Sequence, residues 1–249
     1  MTACRDVSFS VESGQAIALI GPSGCGKSTT LRMASGLLKP SEGSVSVNDA
    51  PVDKPRQATA LIPQDLGLFP WKTVLQNAAL GLVIRKVPKA EANERAEAAL
   101  SRVGLAGFER SYPKELSGGM RQRLALARAL AMDADLLLMD EPLSAIDALL
   151  RESLQDTLLD LWAQRHHTQM LVTHSIEEAV FLGQRILVFS ARPGTVIADI
   201  ENPDMGSPDW RDAPAFAAKC HEVRQALASG SDEAPASSTQ PALLEGVNR

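Results

Sequence analysis

Ala16-Ile17-Ala18-Leu19-Ile20-Gly21-Pro22-Ser23-Gly24-Cys25-Gly26-Lys27-Ser28-Thr29 decides the fold class of this chain. The first five residues form an apolar run of strand length, the rest fit the pattern G-x-x-x-x-G-K-[ST], and a helical pattern from Leu31 to Leu38 follows. Glycines at 21, 24 and 26 let the backbone curl so that successive N–H groups point inward at a phosphate. The helix behind them adds the positive end of its dipole. In that arrangement Lys27 reaches the β- and γ-phosphates and the Ser28 hydroxyl ligates Mg²⁺. With glycine at ~7% of residues, a chance match arises roughly once in a few hundred chains of this length. The strand–loop–helix context makes it rarer still. Gly21, Pro22, Ser23, Gly24, Cys25, Gly26, Lys27, Ser28 and Thr29 are therefore the candidate binding residues for a nucleoside triphosphate.

Bulk properties bound what surrounds this loop. A chain of 249 residues that is 45% hydrophobic can bury one core, or one core with a smaller attached lobe. Its net charge of −5 and the lack of a basic run give no reason to expect a nucleic-acid partner. No apolar stretch reaches the ~18 residues of a membrane span, and the N-terminal residues lack the charged-then-apolar pattern of a signal peptide. Cys4, Cys25 and Cys220 are odd in number and widely spaced, which suits a reducing cytosol. Each is expected to act as a small apolar side chain.

Short apolar runs alternate with helical patterns. Strands are expected at Ala16–Ile20, Val45–Val47, Ala58–Ile62, Leu136–Asp140, Met170–Thr173, Arg185–Phe189 and Thr195–Ile200. The near-continuous runs fit strands covered on both faces. Between residues 65 and 133 the strand signal disappears, and helices are expected at Thr73–Ile84, Lys89–Val103 and Met120–Ala131. The fold class is α/β: a P-loop NTPase with a mostly parallel sheet, a small antiparallel portion and an inserted helical subdomain at about 65–133. The nucleotide-binding domain is expected to fill 1–228. The Ser-, Ala-, Pro- and acid-rich stretch 229–249 is expected to be a disordered tail.

Two further segments carry chemistry. Leu136-Leu137-Leu138-Met139-Asp140 is a buried strand ending in a carboxylate, followed at once by Glu141. A P-loop enzyme needs such an acid to hold Mg²⁺, a role that suits Asp140, while Glu141 is placed to orient and deprotonate an attacking water. Asp-Glu-Pro is also ordinary turn chemistry, so the phosphate loop is what lends the reading its weight. Leu116-Ser117-Gly118-Gly119-Met120-Arg121-Gln122-Arg123 opens a helix with free N–H groups and a hydroxyl, a second anion site.

Taken together, these motifs resemble the ATP-binding cassette (ABC) ATPases, the motor domains of ABC transporters. The resemblance runs from about Asp6 to Ile200 with the motifs in family order. Gln64 matches the Q-loop glutamine, Leu116–Gln122 the signature motif, and Leu136–Glu141 the Walker B strand with its catalytic glutamate. Ser144-Ala145-Ile146-Asp147 is similar to the D-loop, with Ile where Leu is commoner, and His174 falls at the switch histidine. The resemblance implies ATP and Mg²⁺ as ligands, with Ser28, Gln64 and Asp140 at the metal and Glu141, His174 and Gln64 in catalysis. It implies that two copies pair head to tail, so that Ser117, Gly118, Gly119 and Gln122 of one face the phosphate loop of the other and Asp147 lies at their junction. Gln64 would relay the state of the γ-phosphate to the helical lobe, and His174 would hold that phosphate. His166, His167 and His221 are expected to be capping or solvated residues. Ser175 and Glu178 are expected to form a capping box.

One departure stands out. Family members usually stack an aromatic residue from ahead of the phosphate loop on adenine, yet no Tyr, Trp or Phe precedes Phe9, which reads as a core strand residue in the Val7–Val11 alternation. Two expectations stay open: a start further upstream, or an adenine held loosely at a loss of about 1–3 kcal/mol.

Without a membrane span, a transport role requires separate integral-membrane permease subunits and, through them, a periplasmic or extracellular solute-binding protein. Leu66-Gly67-Leu68-Phe69-Pro70-Trp71 places large apolar groups where a surface loop is expected, as a permease contact would need; packing within the helical lobe is the alternative. The stretch Phe-Pro-Trp-Lys-Thr-Val-Leu-Gln-Asn is most similar to ATPases of the nitrate, sulfonate and taurine importers. That likeness implies a peripheral location on the cytoplasmic face of the membrane and a second ATPase chain, either this one or a related one. Two other readings compete. A soluble ABC ATPase of DNA repair or translation would be expected to show coiled-coil insertions or a second cassette, and a regulatory module without turnover fits poorly with Lys27, Asp140 and Glu141 all in place.

Overall fold

The computed structural model describes residues 2–207 and 209–230. The first half contains β1 (Ala16–Ile20), α1 (Lys27–Ala34), a small hairpin of β2 (Ser46–Val47) and β3 (Ala50–Pro51), and β4 (Thr59–Ile62). Four helices follow before the next strand: α2 (Val74–Ala78), α3 (Leu80–Ile84), α4 (Lys89–Arg102) and α5 (Gly118–Leu130). The second half holds β5 (Leu136–Asp140), α6 (Ala148–Arg165), β6 (Thr168–Val172), α7 (Ile176–Leu182), β7 (Arg185–Phe189), β8 (Val196–Glu201) and α8 (Pro214–Ser229).

Six strands form one sheet in the order β4-β5-β6-β1-β7-β8, parallel except for the β7–β8 pair. The expected mostly parallel sheet with a small antiparallel part is therefore present. Period-2 alternation splits each central strand between two cores. Ala18 and Ile20 of β1, with Leu137 and Met139 of β5, face a large cluster shared with α5, α6 and α7. Ile17 and Leu19, with Leu136 and Leu138, face a smaller cluster roofed by Leu31 and Ala34 of α1. Continuous apolar sequence in β1 and β5 is thus explained by burial on both faces.

Several elements differ from expectation. α1 starts at Lys27, not Leu31, because the phosphate loop winds directly into its first turn and Thr30 N donates to Gly26 O at 2.8 Å. It ends at Ala34, where Gly36 at φ +77 closes the helix, and Leu37 and Leu38 are left exposed. The expected Thr73–Ile84 helix is two short helices joined at Ala79. Val7, Phe9 and Val11 pack against the smaller core without joining a strand, so Phe9 is half-buried in irregular chain. His167 is not solvated: burial pushes its imidazole pKa down. Ser229 is the last residue of α8, and the rest of the expected tail from 231 lies outside the described residues.

Candidate nucleotide site

The loop after β1 closes around the Lys27 ammonium, which donates to Gly21 O at 2.7 Å and Pro22 O at 2.9 Å. Gly26 is the N-cap of α1 at φ +103, and a Cβ there would press on Ala3 O at 3.1 Å and Cys4 Cβ at 3.0 Å. Both the left-handed backbone and this close approach therefore need glycine. Cys25 is fully buried in the smaller core, with its Sγ 3.5 Å from Lys27 Nζ, a packing thiol as expected.

Strand β5 brings the acid. Ser28 Oγ donates to Asp140 Oδ1 at 2.9 Å, joining residues 112 apart in sequence. Burial pushes the Asp140 pKa up, and the Ser28 hydrogen bond opposes that rise. Glu141 follows in the left-handed region at φ +52, with its N–H donating to Val172 O at 2.8 Å. A non-glycine residue there is strained, a condition that clusters at functional turns. His174 Nδ1 lies 3.6 Å from Glu141 Oε1. A cleft over the loop is lined by Ser23, Gly24 and residues 26–29 together with Gln64, Glu141, Ala3 and Arg192.

Ser117, Gly118, Gly119 and Asp147 do not line this cleft. Ser117 caps α5, accepting from Met120 N at 3.2 Å, and leaves Gly118 exposed at the helix start. Asp147 caps α6, accepting from Leu150 N at 3.1 Å. Gln122 departs from expectation and cannot face a partner's nucleotide. Its side chain is buried, donating to Glu141 O at 2.8 Å and accepting from Ala145 N at 2.7 Å. It ties the signature helix to the turn that carries Glu141.

Ser175 caps α7, accepting from Glu178 N at 3.2 Å, but the Glu178 carboxyl does not return the bond. It instead accepts from the Thr173 hydroxyl, buried beneath His174, and burial pushes its pKa up. This pair had no signal in the sequence beyond the cap pattern. Arg192 was missed as well, since the hairpin that carries it meets the loop only in the folded chain.

The loop after Gln64 is bolted to the helical lobe. Arg128 donates to Leu66 O at 2.6 Å and Gly67 O at 2.5 Å. The fully buried Asn77 side chain accepts from Phe69 N at 2.9 Å and donates to the carbonyls of Phe69, Lys72 and Thr73. Leu66 and Leu68 pack on the core, whereas Trp71 is 70% exposed beside Phe69. The expected choice between lobe packing and an outward apolar contact is thus divided within one segment.

A phosphate loop between a parallel strand and its helix, with an acidic strand end hydrogen-bonded to the loop's hydroxyl, defines a P-loop nucleoside triphosphatase of the α/β class. Comparison with known proteins narrows the class. The profile of the ABC transporter family matches residues 4–144. The taurine import ATP-binding protein TauB of Burkholderia pseudomallei (strain 1710b) is 48% identical over 198 residues, covering 80% of this chain and 76% of that relative. TauB of Yersinia pestis bv. Antiqua (strain Antiqua) is 45% identical over 195 residues, covering 78% and 76%. The dimeric structure of MJ0796, a bacterial ABC transporter cassette, superposes with a TM-score of 0.75 at 30% identity, covering 80% of this chain and 90% of that one. This chain belongs to the ABC transporter family and is one of its ATP-binding ATPases.

Proposed function

We propose that this chain is the ATP-hydrolysing motor of an ABC importer, working from the cytoplasmic face of the membrane through separate permease subunits. What carries the reading is the meeting of Lys27, Ser28, Glu141 and Gln64 around one cleft, with Asp140 buried behind Ser28 and bonded to it, and with the Gln64 end continuing into the loop of exposed Trp71. In this reading Lys27 exchanges two neutral carbonyl partners for phosphate oxygens, a charge-assisted gain. Glu141 orients the attacking water and takes its proton, and His174 beside it holds the γ-phosphate.

Mg²⁺ fits the residues present. Among the described residues no three His, Cys, Asp or Glu side chains gather as a metal cage. Mg²⁺ is characteristically held by one or two protein oxygens together with phosphate and water. The Ser28 hydroxyl and the Asp140 carboxylate, with Gln64 nearby, offer that hard oxygen set. When bound, the ion neutralises charge on the β- and γ-phosphates.

Ser117, Gly118, Gly119 and Asp147, lying off their own cleft, are assigned to the nucleotide and junction of a second cassette. The dimeric form of the MJ0796 cassette supports this pairing. Taurine import by the TauB relatives supports a small sulfonate-like solute, received from a solute-binding protein by the permease. Among the described residues no helix is long and apolar enough to cross a membrane. The test is gentle extraction of tagged protein from host membranes with identification of its companions. Co-purification of a multi-span protein and a solute-binding protein is expected; recovery only with ribosomes or nucleic acid overturns the transport reading.

A further inference from the structure

The cleft has a second end that the motifs do not account for. β7 lies on the opposite side of β1 from β5 and β4, so the turn after β7 flanks the phosphate loop on the side away from Glu141 and Gln64. That turn is firmly built. Ser190 N donates to Thr195 O at 2.9 Å and Thr195 N to Ser190 Oγ at 3.0 Å. Gly194 lies so close to the Cys25 carbonyl that a Cβ would collide with it. The N-terminal segment locks on from outside, with Gly194 N donating to Ala3 O at 3.1 Å and Arg5 N to Gly194 O at 3.0 Å. From this turn Arg192 lines the cleft with Ala3. Its Nε donates to Thr2 O at 3.0 Å, which fixes one edge of the guanidinium. Among the described residues no carboxylate pairs with it, although the half-buried Arg56 and Arg211 do find acids.

The polyphosphate end of the nucleotide is assigned to Lys27, Ser28 and Glu141 in the reading above, on which this inference rests. A triphosphate laid over the loop from that end directs its nucleoside toward β7. We propose that Arg192 is the base-binding residue of the site, stacking its guanidinium plane on the purine of ATP. Guanidinium is planar, weakly hydrated and attracted to aromatic faces, and a plane held at one edge loses little freedom on stacking. Lysine has the charge without the plane, and phenylalanine has the plane without the charge.

The test is equilibrium binding of ATP and, separately, of inorganic tripolyphosphate to the full chain with Mg²⁺ present. R192A is expected to weaken ATP binding about three- to tenfold and leave tripolyphosphate binding unchanged. R192F is expected to recover most of the loss and R192K little of it. Tripolyphosphate binding also shows that each variant has kept its phosphate loop. Unchanged ATP affinity in R192A overturns the proposal while leaving the ATPase reading intact. Recovery by R192K, or an equal loss for tripolyphosphate, makes Arg192 a phosphate contact and overturns stacking. An unsubstituted chain that binds neither ligand overturns the nucleotide site and this proposal with it.

Discussion

Gln122 Nε2 donates to the backbone carbonyl of Glu141 at 2.8 Å while Gln122 Oε1 accepts from Ala145 N at 2.7 Å. The helix that opens with Ser117 therefore holds the turn that places Glu141. Movement of that helix cannot leave the Glu141 backbone behind without stranding the buried Gln122 amide. Replacing Gln122 with Ala removes the partner of Ala145 N and leaves Glu141 O with only the Ser144 hydroxyl at 3.2 Å and the Ser144 N–H at 3.4 Å, at a cost of about 1–3 kcal/mol if the amide stays dry. Q122A is expected to lower the unfolding midpoint and to cut kcat for ATP more than it raises KM. A Q122A enzyme with unaltered kcat would show that the Glu141 turn holds itself.

Glu141 itself gives the sharpest test of the chemistry. E141Q keeps the shape of the side chain and removes its basicity, so hydrolysis is expected to fall by at least about 10²-fold. ATP-bound dimer should accumulate, visible as a doubling of mass in size-exclusion chromatography with ATP. Steady turnover by E141Q at the unsubstituted rate would remove Glu141 from the catalytic role.

Much of this was legible in the chain. Ala16–Ile20, Leu136–Asp140 and Arg185–Phe189 are strands to the residue, because each has an unbroken run of at least four apolar residues, with Asp140 and Arg185 as charged ends of two of them. The Ser28–Asp140 contact follows from motif chemistry, since both residues are defined by the same ion. Helix α6 was not expected: its leucines spread around the cylinder, with Leu154 and Leu158 buried but Leu149 83% exposed, so no single apolar stripe appears. β3 is two residues of a hairpin and carries no periodicity at all. Inward Gln122, buried Glu178 and cleft-lining Arg192 share a different obstacle. Each depends on which face of an element meets a segment far away in sequence, a tertiary fact that local pattern does not encode.

Glu178 is expected to make stability depend on pH. Burial raises its folded pKa above its unfolded one, so folding takes up a proton between the two values and stability is lost as pH rises through the folded pKa. E178Q keeps an acceptor for the Thr173 hydroxyl and removes the charge. Urea unfolding should therefore find E178Q no more stable than the unsubstituted chain in acid and progressively more stable toward neutral and alkaline pH. A difference that stays constant with pH would mean the carboxyl is not the source.

Asp140 behaves alike in sign but opposes function. Its pKa is also raised by burial, so D140N is expected to leave the fold as stable as before or firmer at neutral pH. The same change removes the acidic oxygen paired with Ser28, and Mg²⁺-dependent strengthening of ATP binding should disappear. Isothermal titration with and without Mg²⁺ reads this directly. Persistence of the full Mg²⁺ effect in D140N would place the ion elsewhere.

Trp71 and Asn77 separate docking from folding within one segment. Asn77 is fully buried and bonds four groups of the loop from Phe69 to Thr73; Phe69 O and Thr73 O keep the N–H groups of Lys72 and Asn77, so N77A is expected to cost at least about 2 kcal/mol by stranding Phe69 N and Lys72 O. Trp71 is mostly in solvent and touches Phe69 edge-on, so W71A should shift stability by no more than about 0.5 kcal/mol. Basal hydrolysis should likewise be untouched, since the residue is outside the nucleotide cleft. If the exposed indole meets a permease, W71A must instead release the chain from its membrane partner and abolish solute-stimulated ATPase in reconstituted vesicles. The two variants thus move opposite readouts, and a W71A chain that still co-purifies with the permease and responds to solute would send the search for the contact to another face of the helical lobe.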